Sequence, residues 1–95
     1  MSDLENKKVI ITGGSRGIGL SILEKFYHEK AKILAIGSNL ENLEKLKSKY
    51  PDVKTEVINL KNNKEVLDKF QRSIDNLGGI DILINNAGIT KDNLT

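Results

Sequence analysis

An apolar run, Val9-Ile10-Ile11, leads directly into Thr12-Gly13-Gly14-Ser15-Arg16-Gly17-Ile18-Gly19, and Ile18, Ile22, Leu23 and Phe26 then recur at helical spacing. No other stretch constrains the fold as strongly. A short apolar run bounded by charge and glycine suits a central strand buried on both faces. The glycines permit a tight turn, bring a ligand close to the backbone and let the helix pack on the strand. A helix entered this way offers unpaired N–H groups and the positive end of its dipole, a natural seat for a pyrophosphate. The alternative is a tight strand-to-helix turn that holds no ligand.

The remaining elements follow in order. The first strand covers residues 7–12 and its helix runs to about Lys30. Residues 33–36 are a second apolar run and a second strand. Ser38-x-x-Glu41 has the form of a capping box opening a helix with Leu40, Leu43, Leu46 and Tyr50 on one side, and Pro51 ends it. Val53, Thr55 and Val57 alternate with Lys54 and Glu56, as in a half-exposed edge strand. Asn62-x-x-Glu65 opens a helix with an apolar face of Val66, Leu67, Phe70, Ile74 and Leu77, and Gly78-Gly79 stops it. Residues 80–85 form a fourth strand, and residues 86–95 are polar and loop-like. Strands alternating with helices imply parallel pairing through right-handed crossovers. The expected class is α/β: a Rossmann-type parallel sheet with helices on both faces, order 3-2-1-4, which is half of a doubly wound sheet.

Composition narrows the function classes. Ninety-five residues make at most one small domain, and 38% apolar with 29% charged residues is ordinary for a folded chain. Fifteen Lys+Arg against 13 Asp+Glu, spread along the sequence, give no case for nucleic acid or membrane partners. Without cysteine there is no disulfide or thiolate metal site, and His28 alone cannot build a metal site. No apolar run is long enough to span a membrane, and the polar start Met1-Ser2-Asp3-Leu4-Glu5 lacks a secretory pattern, so a cytoplasmic location is expected.

The glycine spacing is Gly13-x-x-x-Gly17-x-Gly19 with Thr12 in front, and Asn85-Asn86-Ala87-Gly88 ends the fourth strand. Together these motifs resemble the short-chain dehydrogenase/reductase family over essentially the whole chain. Asn85-Asn86-Ala87-Gly88-Ile89-Thr90-Lys91-Asp92-Asn93-Leu94 most resembles its members that reduce 3-oxoacyl thioesters of acyl carrier protein in fatty acid synthesis. The resemblance implies that Gly13, Ser15, Gly17 and Gly19 form the pyrophosphate turn and that Ile18 lies on the nicotinamide side. It also implies that Asn59 and Leu60 border the adenine, where many relatives have aspartate at the position of Asn59. Asn86, Ala87 and Gly88 would line the ribose wall. For Asn85, a structural tie between strands is the reading preferred over cofactor contact.

Cofactor choice has a physical basis. NAD sites place a carboxylate at the end of the second strand to hold the ribose hydroxyls. This region reads Ile36-Gly37-Ser38-Asn39, so a 2′-phosphate would meet no repulsion there. Ser38 lies at a helix start that itself favours an anion, and Arg16 resembles the basic residue that contacts the phosphate in NADP-dependent members. NADPH is therefore the expected cofactor; a solvated surface charge is the alternative for Arg16. The family's catalytic serine, tyrosine, lysine and additional asparagine all lie downstream of the Asn85 motif. The expectation is a partial domain with its C-terminal half absent, inactive alone, and prone to unfold or self-associate through an open edge at Ile82-Leu83-Ile84. Full-length homologues are expected to be homo-oligomers. Tyr50 and Lys54 match the catalytic spacing by chance, because Pro51 breaks any shared helix. A reductase of another ketone or alcohol substrate, and a non-catalytic nucleotide-binding module, are the rival functions.

Overall fold

A computed structural model describes residues 3–13, 17–59 and 63–86. Strands β1 (Lys8–Thr12), β2 (Lys32–Gly37), β3 (Lys54–Val57) and β4 (Ile82–Asn85) alternate with helices α1 (Gly17–His28), α2 (Leu40–Lys49) and α3 (Asn63–Leu77). The strands form one parallel sheet in the order β3-β2-β1-β4, as the alternation predicts.

Alternate residues of the central strands serve two cores. Val9 and Ile11 of β1, with Ile33 and Ala35 of β2, pack on Leu23 of α1 and on Leu43 and Leu46 of α2. Ile10, Leu34 and Ile36 point the other way, onto Leu77 of α3, with Val66, Phe70 and Ile74 partly buried against them. Helices α1 and α2 thus cover one face and α3 the other. Burial on both faces is why β1 and β2 read as unbroken apolar runs. Among the described residues the outer strand β4 pairs with β1 alone, and its Leu83 is 48% exposed.

Hydrogen bonds fix the ends of the elements. Gly79 N donates to Ile74 O and Gly78 N to Asp75 O, closing α3 where the paired glycines stand. The turn that follows is tied to β1: Lys8 N donates to Asp81 Oδ2 at 2.9 Å, and Asp81 N to Lys8 O at 2.8 Å. These bonds hold Ile80 and Asp81 ahead of β4, which begins at Ile82 rather than at residue 80.

Three sequence expectations need correction. The cap of α2 is Asn39, not Ser38: Asn39 has extended backbone and its Oδ1 accepts from Asn42 N at 2.9 Å. Loss of that cap in Asn39→Ala should cost about 1 kcal/mol, whereas Ser38→Ala should change stability by less than about 0.5 kcal/mol. Urea unfolding of both variants checks the assignment. Next, Leu40 and Leu67 do not join the apolar faces assigned to them; they are 59% and 76% exposed. Each sits roughly a quarter turn from the centre of its helix's buried stripe. Finally, Ile18 is 73% exposed at the start of α1, so the buried stripe of that helix begins further along. The cap expected at Asn62 lies outside the described residues.

Candidate functional site

Parallel register sets Thr12 beside Ile36 on one side and beside Asn85 on the other, and Gly37 beside Val57. The strands therefore end level, and Gly13, Ser38, Asn59 and Asn86 follow them along one edge of the sheet. The order β3-β2-β1-β4 makes β1 the switch point, because the chain leaves it toward β2 and later returns to its other side as β4. Open parallel sheets bind ligands at such a crevice, outside the carboxyl ends of the strands.

Short-range ties lock this edge together. Gly13 N donates to Ile36 O at 2.8 Å, joining the turn after β1 to the end of β2. Asn86 Nδ2 donates to Gly13 O at 3.3 Å, joining the same turn to the end of β4. Thr12 Oγ1 is 3.1 Å from Asn85 Oδ1 and 3.4 Å from Ile84 O, donating toward both. Asn85 is thus a tie between strands, as its preferred reading expects. This tie gives Thr12 a role that the glycine spacing alone does not mark. Its signal lay in the two motifs, since Thr12 and Asn85 each occupy the last position of neighbouring strands.

Two glycines have different physical reasons. Gly17 starts α1 with φ of 63° in the left-handed region, although a Cβ there would meet nothing within 4 Å. Gly19 is needed for space: its Cβ would fall on the Gly13 carbonyl and lie 2.7 Å from Asn86 Nδ2. Gly13, Gly19 and Asn86 therefore form a tight knot, with exposed Ile18 beside it. The first turn of α1 contains no acidic residue, and Lys25 and His28 occupy its last turn. The first turn thus places no negative side chain of its own against the positive end of the helix dipole. Close backbone approach and positive potential suit an anion such as a phosphate ester.

The structure brings Gly13, Gly17, Ile18, Gly19, Ser38, Asn59 and Asn86 to this one edge of the sheet; Ser38 and Asn59 are exposed there. Ser15, Arg16, Leu60, Ala87 and Gly88 lie outside the described residues. Tyr50 and Lys54 do not form a pair. The Tyr50 hydroxyl donates to Glu24, and Lys54 Nζ donates to Asn76 O at 2.8 Å. His28 is exposed. Among the described residues there is no cluster able to hold a metal ion, and no helix is long and apolar enough to cross a membrane.

Residues 7–95 match the family model described as short chain dehydrogenase. The chain is 43% identical over 95 residues to 3-oxoacyl-(acyl-carrier-protein) reductase of Chlamydia pneumoniae, covering 96% of this chain and 38% of that protein. It is 39% identical over 94 residues to a 3alpha-hydroxysteroid dehydrogenase of Mediterraneibacter gnavus, covering 93% of this chain and 38% of that protein. The crystal structure of 2-keto-3-deoxy-D-gluconate dehydrogenase from Streptococcus agalactiae matches with a TM-score of 0.80 at 34% identity, over 93% of this chain and 35% of that one. The chain thus spans 38% of the length of these two curated relatives. The family model covers nearly the whole chain and the fold agrees with it: the chain belongs to the short-chain dehydrogenase family.

Proposed function

We propose that this chain holds a nicotinamide dinucleotide at the carboxyl edge of its sheet, as the cofactor-binding part of an NADPH-dependent ketone reductase. The observation that carries the reading is the knot of Gly13, Gly19 and Asn86 at the start of α1, where added side-chain bulk at Gly19 has no room and the first turn of the helix carries no carboxylate. The pyrophosphate would rest on Gly13, Ser15, Gly17 and Gly19. Ile18 would lie toward the nicotinamide, Asn59 and Leu60 beside the adenine, and Asn86, Ala87 and Gly88 along the ribose. When bound, the reduced cofactor supplies hydride to a carbonyl carbon. The residues of this chain bind and orient it.

Preference for NADPH rests on charge. No carboxylate stands at Gly37, Ser38 or Asn39, and the side chain of Asn39 is committed to capping α2. Ser38 is exposed beside it, and Arg16 supplies a cation to the 2′-phosphate. A 3-oxoacyl thioester of acyl carrier protein is the substrate favoured by the similarity to the Chlamydia pneumoniae reductase, together with a cytoplasmic setting and assembly as a homo-oligomer. The steroid and keto-deoxy-gluconate dehydrogenases match to a similar degree, which favours reduction of another ketone as the second reading. The 95 residues assayed by themselves should oxidise no NADPH, because Tyr50 and Lys54 are engaged apart from each other and provide no acid for the product alkoxide.

The test compares NADPH and NADH binding in wild type and Arg16→Ala. NADPH should bind more tightly. The variant should lose about 1.5–3 kcal/mol of NADPH affinity, as for a charge-assisted hydrogen bond, and little for NADH. Equal affinity of the wild type for both nucleotides would refute the preference.

A further inference from the structure

Away from the carboxyl edge, α1 and α2 are joined by a contact that the nucleotide site does not use directly. The Tyr50 hydroxyl, at the C-terminal cap of α2, donates to Glu24 Oε2 of α1. Lys49 Nζ lies 3.4 Å from the same oxygen. The Tyr27 ring of α1 lies 4.6 Å from the Tyr50 ring at an interplanar angle of 56°, and the His28 ring meets Tyr27 edge-on at 6.2 Å. Tyr50 is 8% exposed, so its ring is part of the core while its hydroxyl reaches the carboxylate. The bond from Tyr50, and after it the ammonium of Lys49, hold the Glu24 carboxyl below the usual carboxylate range. The bond to Glu24 pushes the Tyr50 phenol up, and the separate bond of Lys49 to Glu24 pushes its ammonium up. Near neutral pH the contact is therefore a carboxylate between a neutral phenol and a cation.

Helix α1 has one fully buried apolar side chain, Leu23, with Leu20, Ile22 and Phe26 partly buried around it. A single deep anchor fixes where a helix sits better than how it tilts. Tilt of α1 swings its first turn against Gly13 and Asn86, where a Cβ on Gly19 already has no room. A small rotation there changes the geometry offered to a ligand, and misplacement on the ångström scale is costly in preorganised sites.

We propose that Glu24 is a positioning residue for the nucleotide site: by holding Tyr50 and Lys49 of α2, it fixes the tilt of α1 and so the placement of Gly17, Ile18 and Gly19. The inference rests on the nucleotide-binding reading of that turn. None of the three side chains is assigned a contact with the ligand; the effect passes through the axis of α1.

The experiment measures NADP+ dissociation constants in the protein as the cell makes it, well below its melting temperature, with thermal unfolding recorded in parallel. Glu24→Ala and Tyr50→Phe should each weaken binding between about twofold and thirtyfold, the range of couplings that act without ligand contact. The double variant should be no weaker than the worse single one, because both remove one interaction. Glu24→Gln keeps an acceptor for the Tyr50 hydroxyl and should restore most of the affinity. Unchanged dissociation constants with lowered melting temperatures would overturn the positioning role and leave a purely structural contact. Additive losses in the double variant would overturn the coupling. A wild-type protein that binds neither NADP+ nor NAD+ would overturn the nucleotide reading itself, a result distinct from the other two.

Discussion

Gly19→Ala is expected to abolish measurable nucleotide binding and to destabilise the fold. The added Cβ would strike the Gly13 carbonyl, which belongs to the backbone, and crowd Asn86 Nδ2 at 2.7 Å. Overpacking of this kind costs about 1–3 kcal/mol even where flexible side chains give way. Here the group that must yield is tied at both ends, by Gly13 N to Ile36 O and by Gly13 O to Asn86. Relief would have to come from shifting the turn or the start of α1, and either shift displaces the surface proposed to receive the pyrophosphate. Gly17→Ala is the informative comparison. It has open space around its Cβ and carries only left-handed backbone strain, about 1–2 kcal/mol. Titration with NADP+ and urea unfolding of both variants would separate the two reasons for glycine. Wild-type binding by Gly19→Ala would contradict the close-approach argument.

The second large effect concerns the core. Leu34 lies at the centre of β2, fully buried between Ile10, Ile36 and the face covered by α3. Leu34→Ala should cost about 2–5 kcal/mol through lost transfer energy and a cavity. That is a large share of a native stability of about 5–15 kcal/mol. Leu67→Ala, which removes the same atoms from a side chain 76% exposed, should cost less than about 0.5 kcal/mol. Equal losses in the two variants by urea unfolding would show that α3 is seated differently from the arrangement described here.

The contrast between Leu34 and Leu67 also marks what the sequence can convey. Continuous apolar runs such as Val9-Ile10-Ile11 announce strands buried on both faces, so element order and the β3-β2-β1-β4 sheet were legible from pattern alone. Membership in an apolar stripe is coarser information. Leu40 and Leu67 have the right character and nearly the right spacing, yet a quarter turn of the helix leaves them in solvent. Caps are ambiguous for the same local reason. Ser38 and Asn39 are adjacent good caps, and the choice between them depends on how the chain leaves β2. At the site, Gly13, Gly17 and Gly19 stand out by their spacing between a strand and a helix, whereas Asn86 is marked only by the resemblance of Asn85-Asn86-Ala87-Gly88 to the family. The contacts of Glu24 with Tyr50, and of Lys8 with Asp81, were not legible. They join residues 26 and 73 positions apart, and nothing local to a helical glutamate or to the backbone N–H at a strand start signals such a partner.

The central claim is that a nicotinamide dinucleotide binds at the carboxyl edge of the sheet, on the start of α1. Mapping backbone amide shifts by NMR during titration with NADP+ tests it most directly. The predicted result is saturable change concentrated at Gly13, Gly17, Ile18, Gly19, Ser38 and Asn86. The amides at the opposite edge, at Lys32, Lys54 and Gly78, should remain still. Saturable binding that moves the opposite edge and leaves Gly13 through Gly19 unchanged would contradict the account.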